Sequence, residues 1–379
     1  YYNWVWTNTL NYNGNITSNG DLTFNAQAGY ESQKSMGYFS NVQNQDFPPS
    51  TSLTYPAVGA RPTTASATIS EYSFISQFLS AGVNYQNKYV LTGSYRRDGS
   101  SRFGPNNRWG NFWSVGASWN ADQEVFFQNI DWISQLKFRT SYGVNGNAGI
   151  GNYDWQPLYG FGSNYNQAPG SAPSNVGDSS LTWELNKPFN VGFDIGFFNN
   201  RLNFSVDYYT RKTEDLFLNV PLSRTSGFTS TSQNIGSMTN TGYEITLNAV
   251  PVSTRDFRWI VDFNYATNKN TIDFLPDGQD ITDPAYSIML LREGESIRNY
   301  YLREFAGVDP QTGEPTWYVD DTHDATTKVY SQAERSLVGS SLPKHFGSFT
   351  NSFNYKGISL EVQFYYNFGN YVYDSWGAY

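Results

Sequence analysis

Apolar and polar residues alternate with a period of two along most of the chain. Leu22, Phe24, Ala26, Ala28 and Tyr30 are interleaved with Thr23, Asn25, Gln27 and Gly29. The same pattern runs through Leu79 to Tyr85, Tyr89 to Tyr95, Trp113 to Trp119, Phe189 to Phe197 and Leu202 to Tyr208. It returns at Tyr243 to Ala249, Trp259 to Tyr265, Phe349 to Tyr355 and Leu360 to Tyr366. Strict alternation puts one face of a strand in an apolar environment and the other in a polar one, so each segment is predicted as a β-strand. About twelve strands of roughly ten residues are expected, the length a tilted strand needs to cross a bilayer. The opening run from Tyr1 to Trp6 already reads as strand, so a leader is expected either to have been processed away or to lie upstream of this sequence.

Two all-β architectures share this alternation. A soluble sandwich buries its apolar face and wets the other, whereas a wide barrel turns its apolar face to lipid and its polar face to an aqueous lumen. The connections favour the barrel. Short turns at Gln86 to Lys88, Asn199-Asn200, Val252 to Asp256 and Lys356-Gly357 alternate with long connections expected at 31 to 71, 143 to 188, 209 to 241 and 267 to 344. Outer-membrane barrels have tight periplasmic turns and long extracellular loops, whereas compact soluble domains rarely hold loops of that length.

Composition changes the picture in four ways. Mean hydropathy is −0.54, and no continuous apolar run of about 20 residues exists, so a helical membrane protein is excluded. The 11 Trp, 29 Tyr and 27 Phe supply the aromatic bands that barrels place at both membrane interfaces. Cysteine is absent, which removes disulfides and thiolate metal sites. A net charge of −9 without a basic stripe argues against nucleic acid as a partner.

Several segments then resemble one family, the SusC/RagA group of TonB-dependent outer-membrane transporters. They are Arg97-Asp98-Gly99-Ser100-Ser101-Arg102-Phe103-Gly104, the Gly-Asn-rich run from Asn145 to Tyr153, and Leu181-Thr182-Trp183-Glu184. The hairpin from Asn190 to Leu202 follows, then Asp207-Tyr208-Tyr209, Thr213 to Leu216, Asn234 to Met238 and Gly242-Tyr243-Glu244, in the family's order. Asp309 to Gly313 and Leu342-Pro343-Lys344 continue it more loosely. The resemblance implies a roughly 22-stranded barrel in the bacterial outer membrane, of the size class whose lumen is plugged. It also implies TonB-powered import of oligosaccharides or peptides, beneath a SusD-like surface lipoprotein. Residues 1–379 are then part of the barrel domain. The plug, the TonB box and the terminal strands are expected outside this chain, with a loop from Asp374 to Tyr379 at its end.

Candidate chemistry outside the strands is sparse. Gly143, Gly146, Gly149 and Gly151 suggest a phosphate cradle, but Tyr153 to Pro157 does not continue as the helix such a loop needs, so structural turn is the reading. Asp320, Asp321, His323 and Asp324, with His345 as the other histidine, lack metal-ligand spacing. Asp273, Asp277, Asp280 and Asp283 raise calcium, and a solvated acidic loop is preferred. No Gly-x-Ser-x-Gly elbow exists, and Glu293 with Glu295 is a chance carboxylate pair, so neither an enzyme nor a cofactor is expected. The aromatic loop with Tyr153, Trp155, Tyr159, Phe161 and Tyr165 is the candidate substrate-binding segment, because flat rings with polar tips stack on sugars or peptide groups. Its rings either bind substrate or pack the loop against its neighbours or a lid. Two other functions stay open: a passive outer-membrane porin and a secreted carbohydrate-binding β-sandwich.

Overall fold

The computed structural model describes residues 1–127, 130–282 and 288–374. Twelve strands form a single antiparallel wall: β1 (Tyr2–Asn15), β2 (Leu22–Gln45), β3 (Arg61–Tyr85), β4 (Tyr89–Ser100), β5 (Trp109–Asn120), β6 (Ile133–Asn147), β7 (Glu184–Phe197), β8 (Leu202–Glu214), β9 (Ser237–Ser253), β10 (Phe257–Thr267), β11 (His345–Tyr355) and β12 (Ile358–Phe368). Each pairs with its sequence neighbour, and β1 and β12 form the two edges of the described sheet. A short strand, Lys269–Phe274, adds to the upper end of β9.

Register aligns the alternation across the wall. One row runs Leu136, Ile195, Phe204, Leu247, Phe263, Phe349 and Phe364 from β6 to β12. The row beside it on the opposite face runs Lys137, Asp194, Ser205, Thr246, Asn264 and Ser348. Because the side-chain period is two, a slip of one residue would exchange these faces on a whole strand. The apolar face is open: Leu79, Leu91, Val115 and Leu360 are each about half exposed or more. An apolar sheet of that extent facing water would be strongly unfavourable, and facing hydrocarbon it is at rest.

Aromatic pairs mark the two borders of that apolar face. Near the short-turn end Trp119 stacks on Phe138 at 5.7 Å, Trp132 on Phe197 at 5.7 Å and Trp259 on Phe353 at 5.9 Å. Towards the long-loop end Trp113 meets Tyr142 at 5.6 Å and Tyr208 meets Tyr243 at 5.2 Å. Trp113 and Trp119 bracket Val115 and Ala117 on β5, about 20 Å of strand, the scale of a lipid-facing band between two girdles.

The short turns are where the sequence places them. Gln86 and Asn87 both take positive φ, and Lys356-Gly357 does the same, giving tight hairpins whose twist matches the strands. Of the four long connections, the one expected at 267 to 344 is found at 268–344, and the other three are shorter than expected from sequence. The expected connection at 31 to 71 is mostly ladder, since β2 pairs with β3 from Glu31↔Ser76 out to Gln45↔Arg61. There the strict apolar/polar alternation lapses, at Ser32-Gln33-Lys34-Ser35 for instance, because this hairpin stands beyond the apolar band. Backbone bonds, with side-chain pairs such as Lys34–Glu71 at 3.0 Å, hold it without a continuous apolar stripe, so β2 and β3 reach 24 and 25 residues rather than about ten. The connections at 143 to 188 and 209 to 241 likewise shrink to 148–183 and 215–236, each holding its own two-stranded hairpin. The expected terminal loop lies outside the described residues beyond Asp374.

Candidate functional site

The long-loop end of the inner, polar face is where functional groups can meet. Three of the motif segments converge there into one dry core. Phe103 and Leu181 are fully buried, and Phe112, Ala148 and Trp183 join them. Trp183 packs against Phe103 at 5.3 Å and Phe112 at 5.2 Å, and its Nε1 donates to the Arg108 carbonyl at 3.0 Å. Arg102 donates to Asn152 Oδ1 and to the Ala148 carbonyl, both at 2.8 Å, and lies 4.2 Å over the Tyr72 ring. Asn234 closes the set, accepting from the Thr182 amide at 2.7 Å and donating to the Thr182 and Asp215 carbonyls.

Sequence gave one sign of this core. Phe112 sits in phase with Gly110, Ser114 and Gly116, on the polar face of β5, and an isolated ring on a wet face needs cover. It lies where Gly146 has no side chain: a Cβ there would come within 2.0 Å of the ring. The glycines at 143 and 146 are thus strand residues of β6, one of them a seat for a ring, and not part of a phosphate cradle.

The five aromatic candidates separate. Tyr153 and Trp155 are partly buried; Trp155 packs against the loop core, and the Tyr153 hydroxyl accepts from the Glu71 amide at 2.9 Å. Tyr159 and Phe161 lie on the hairpin strand Leu158–Phe161, 64% and 90% exposed, and Tyr165, 85% exposed, lies in the turn between that strand and its partner Ser171–Asn175. Two rings therefore anchor the connection, and three project from it.

Below the core, the inner wall carries charge networks that single strands do not reveal. Arg139 of β6 grips Asp194 of β7 through Nε (3.1 Å) and Nη2 (2.9 Å), and Asp207 of β8 through Nη2 at 2.7 Å. Ser205 completes it, donating to Asp194 Oδ1 at 2.7 Å. Arg96 similarly bonds Asp98 (2.7 Å), Ser76 Oγ (2.7 Å) and Glu31 (3.3 Å) across three strands. The planar guanidinium fork suits such bidentate pairing on a partly wet wall. The sequence signal was phase: each of these charges falls on the polar alternate of its strand.

Among the described residues no group of three or more His, Cys, Asp or Glu is placed to hold a metal. Asp280 pairs with Arg292 at 2.6 Å and Asp273 accepts from Thr239 at 2.6 Å, while Asp283 lies outside the described residues. His323 bonds Glu304 at 2.9 Å and stacks on Tyr318, Asp320 caps Thr322, and His345 meets the Tyr265 hydroxyl at 2.7 Å. Asp309 and Glu314 converge on Lys328, which holds the Asp309 carboxyl well below the usual range with help from the Gln311 amide.

A wide antiparallel wall with an apolar belt between aromatic borders, a polar inner face and loops gathered at one end defines an outer-membrane β-barrel. The chain belongs to the TonB dependent receptor-like beta-barrel family, whose profile matches residues 1–374. TonB-dependent receptor P39 of Formosa agariphila is 31% identical over 98% of this chain and 40% of its own length. TonB-dependent receptor SusC of Bacteroides thetaiotaomicron is 35% identical over 55% of this chain and 22% of its own. Among solved structures, the RagAB peptide transporter superposes with a TM-score of 0.85 at 31% identity, covering 96% of this chain and 41% of that one. The outer membrane transporter YddB of Escherichia coli shares the fold alone, with a TM-score of 0.56 at 11% identity. The chain thus spans about 40% of the length of these first relatives.

Proposed function

We propose that this chain is the central wall of a TonB-dependent importer that carries peptides or oligosaccharides across the outer membrane. The observation that carries the reading is the match to the RagAB peptide transporter over nearly the whole chain. The architecture supports it: the inner face is lined with fixed charges, amides and hydroxyls, and the loops gather at one end around a packed core. A passive porin shares the strands, but the likeness in sequence and fold is to energised receptors. A SusD-like lipoprotein is the partner proposed for the loop surface, with Tyr159, Phe161 and Tyr165 touching the substrate or that lid. Tyr153 and Trp155 position the loop that presents them.

The test is uptake in cells. Labelled peptides and oligosaccharides should accumulate in a strain carrying the intact gene, and accumulation should stop when TonB is deleted or the proton gradient collapsed. Uptake that continues at the same rate without TonB would make the protein a porin.

A further inference from the structure

The inner wall holds a cleft of about 710 Å³ that the loop core does not use. Its floor is three alternate rungs of the β8/β9 ladder, those on the inner face: Asp207↔Glu244, Tyr209↔Gly242 and Arg211↔Asn240. Leu342, Pro343 and Phe346 form an apolar flank. Tyr209 lies flat over Gly242, where a Cβ would come within 2.6 Å of the hydroxyl, and that hydroxyl donates to the Thr267 carbonyl at 3.1 Å.

Three groups in this cleft have no partner of their own. Asn240 is 6% exposed; its Oδ1 accepts from Asn270 at 3.0 Å, while its Nδ2 is buried without an acceptor. A buried amide donor without a partner is costly, and native structures keep one where something else satisfies it. Arg211 and Glu244 are exposed on the same face, and among the described residues neither forms a salt bridge, in contrast to Arg139 and Asp207 beside them. The cleft therefore offers a cation at one end, an anion at the other and an amide donor at the cation's end. Arg211 lies opposite Asn240, four residues from Glu244 along β9, which is about 13 Å of strand.

We infer that this cleft is a binding site for a zwitterionic oligopeptide of about four residues in extended form. At roughly 3.3–3.6 Å per residue, that length spans the separation of the two charges. Its carboxylate meets Arg211, its ammonium meets Glu244, and Asn240 Nδ2 donates to a carbonyl near the carboxylate end. A side chain can rest against Leu342, Pro343 and Phe346. A neutral glycan could offer hydroxyls to both groups but no opposite charge to either. The inference rests on the import reading in taking its ligand from the lumen, and it narrows that reading from peptides or oligosaccharides to peptides.

The intact transporter, purified in detergent with its co-purifying partners, should be titrated calorimetrically with tetra-alanine, N-acetyl-tetra-alanine amide and maltotetraose. Free tetra-alanine should bind about tenfold more tightly than the capped form, as expected for two added charge contacts. R211Q/E244Q should erase that preference, and Asn240→Ala should weaken both forms. Heat-modifiable migration on gels confirms that each variant is a folded barrel. Equal binding of free and capped peptide would overturn the proposal. So would maltotetraose binding that Asn240→Ala weakens, since the cleft would then take a neutral glycan. If wild-type protein binds neither peptide, and R211Q/E244Q opens new protease sites in another segment of the same protein, the cleft holds that segment and the proposal fails. Tetra-alanine uptake that persists without TonB while the binding pattern holds removes the import reading and leaves the site standing. TonB-dependent uptake with no such binding pattern does the reverse.

Discussion

Trp183 donates its indole N–H to the carbonyl of Arg108 at 3.0 Å, although 75 residues separate them in sequence. This bond joins the Leu-Thr-Trp-Glu segment to the end of the Arg-Asp-Gly loop. With Phe103 and Phe112 against the same ring, Trp183 is the keystone of the loop core.

Trp183→Ala should therefore loosen the loops while sparing the wall. Removing a buried aromatic costs about 3–5 kcal/mol, and here that loss falls on the loop ends, because the ladder below has its own backbone bonds. Limited proteolysis should show new cuts between 101 and 108 and between 148 and 183. Heat-modifiable migration should persist. An unchanged digestion pattern would show that the loops hold without this core.

Arg139→Gln leaves Asp194 and Asp207 facing each other across β7 and β8 without their shared cation. Arg139 is 35% exposed, so the cost should fall below that of a fully buried pair, about 1–3 kcal/mol. The urea midpoint for unfolding in detergent should drop accordingly. Asp194→Asn/Asp207→Asn in the same background should recover part of the loss by removing the repulsion. Arg139→Lys should recover less, since an ammonium cannot make the forked contacts.

The exposed aromatics and the anchoring ones should respond differently. Replacing Tyr159, Phe161 and Tyr165 together with Ala should lower uptake about tenfold with assembly intact, on the scale of two or three lost stacking contacts. Trp155→Ala should instead increase protease sensitivity around 148–183, because its ring packs against the core. Normal uptake by the triple variant would reduce that hairpin to scaffolding.

The turn from Asp309 to Glu314 carries a pH dependence of known sign. Lys328 holds both carboxyls below their usual range, Asp309 with the further help of the Gln311 amide and Glu314 with that of the Thr312 hydroxyl. The same carboxylates raise Lys328. Groups depressed on folding contribute order above their unfolded pKa and lose it as pH falls through the folded value. Protection factors for the amides of 309–328, with the intrinsic pH dependence of exchange divided out, should thus stay flat from about pH 5 to 9 and fall only below the usual carboxylate range, near pH 4. Lys328→Met should raise exchange at neutral pH. A loss of protection already beginning near pH 6 on acidification would contradict this account.

The sequence by itself determined the strands and their faces. Period-two alternation is a local property, so Leu202, Phe204, Val206 and Tyr208 point one way wherever β8 ends up. The tight turns were equally legible, because Lys356-Gly357 takes positive φ for reasons carried by those two residues. Strand ends beyond the apolar band were hidden, since a ladder held mainly by backbone bonds does not impose alternation on side-chain polarity, as in β2 past Tyr30. Only the tertiary structure decided which loops meet and which charges pair. Arg139, Asp194 and Asp207 sit on three strands, and Tyr153 and Phe161 share one aromatic connection yet one is anchored and the other projects 90% exposed. Such contacts join residues tens of positions apart, and they exist only once the register of every intervening strand has brought their ends together.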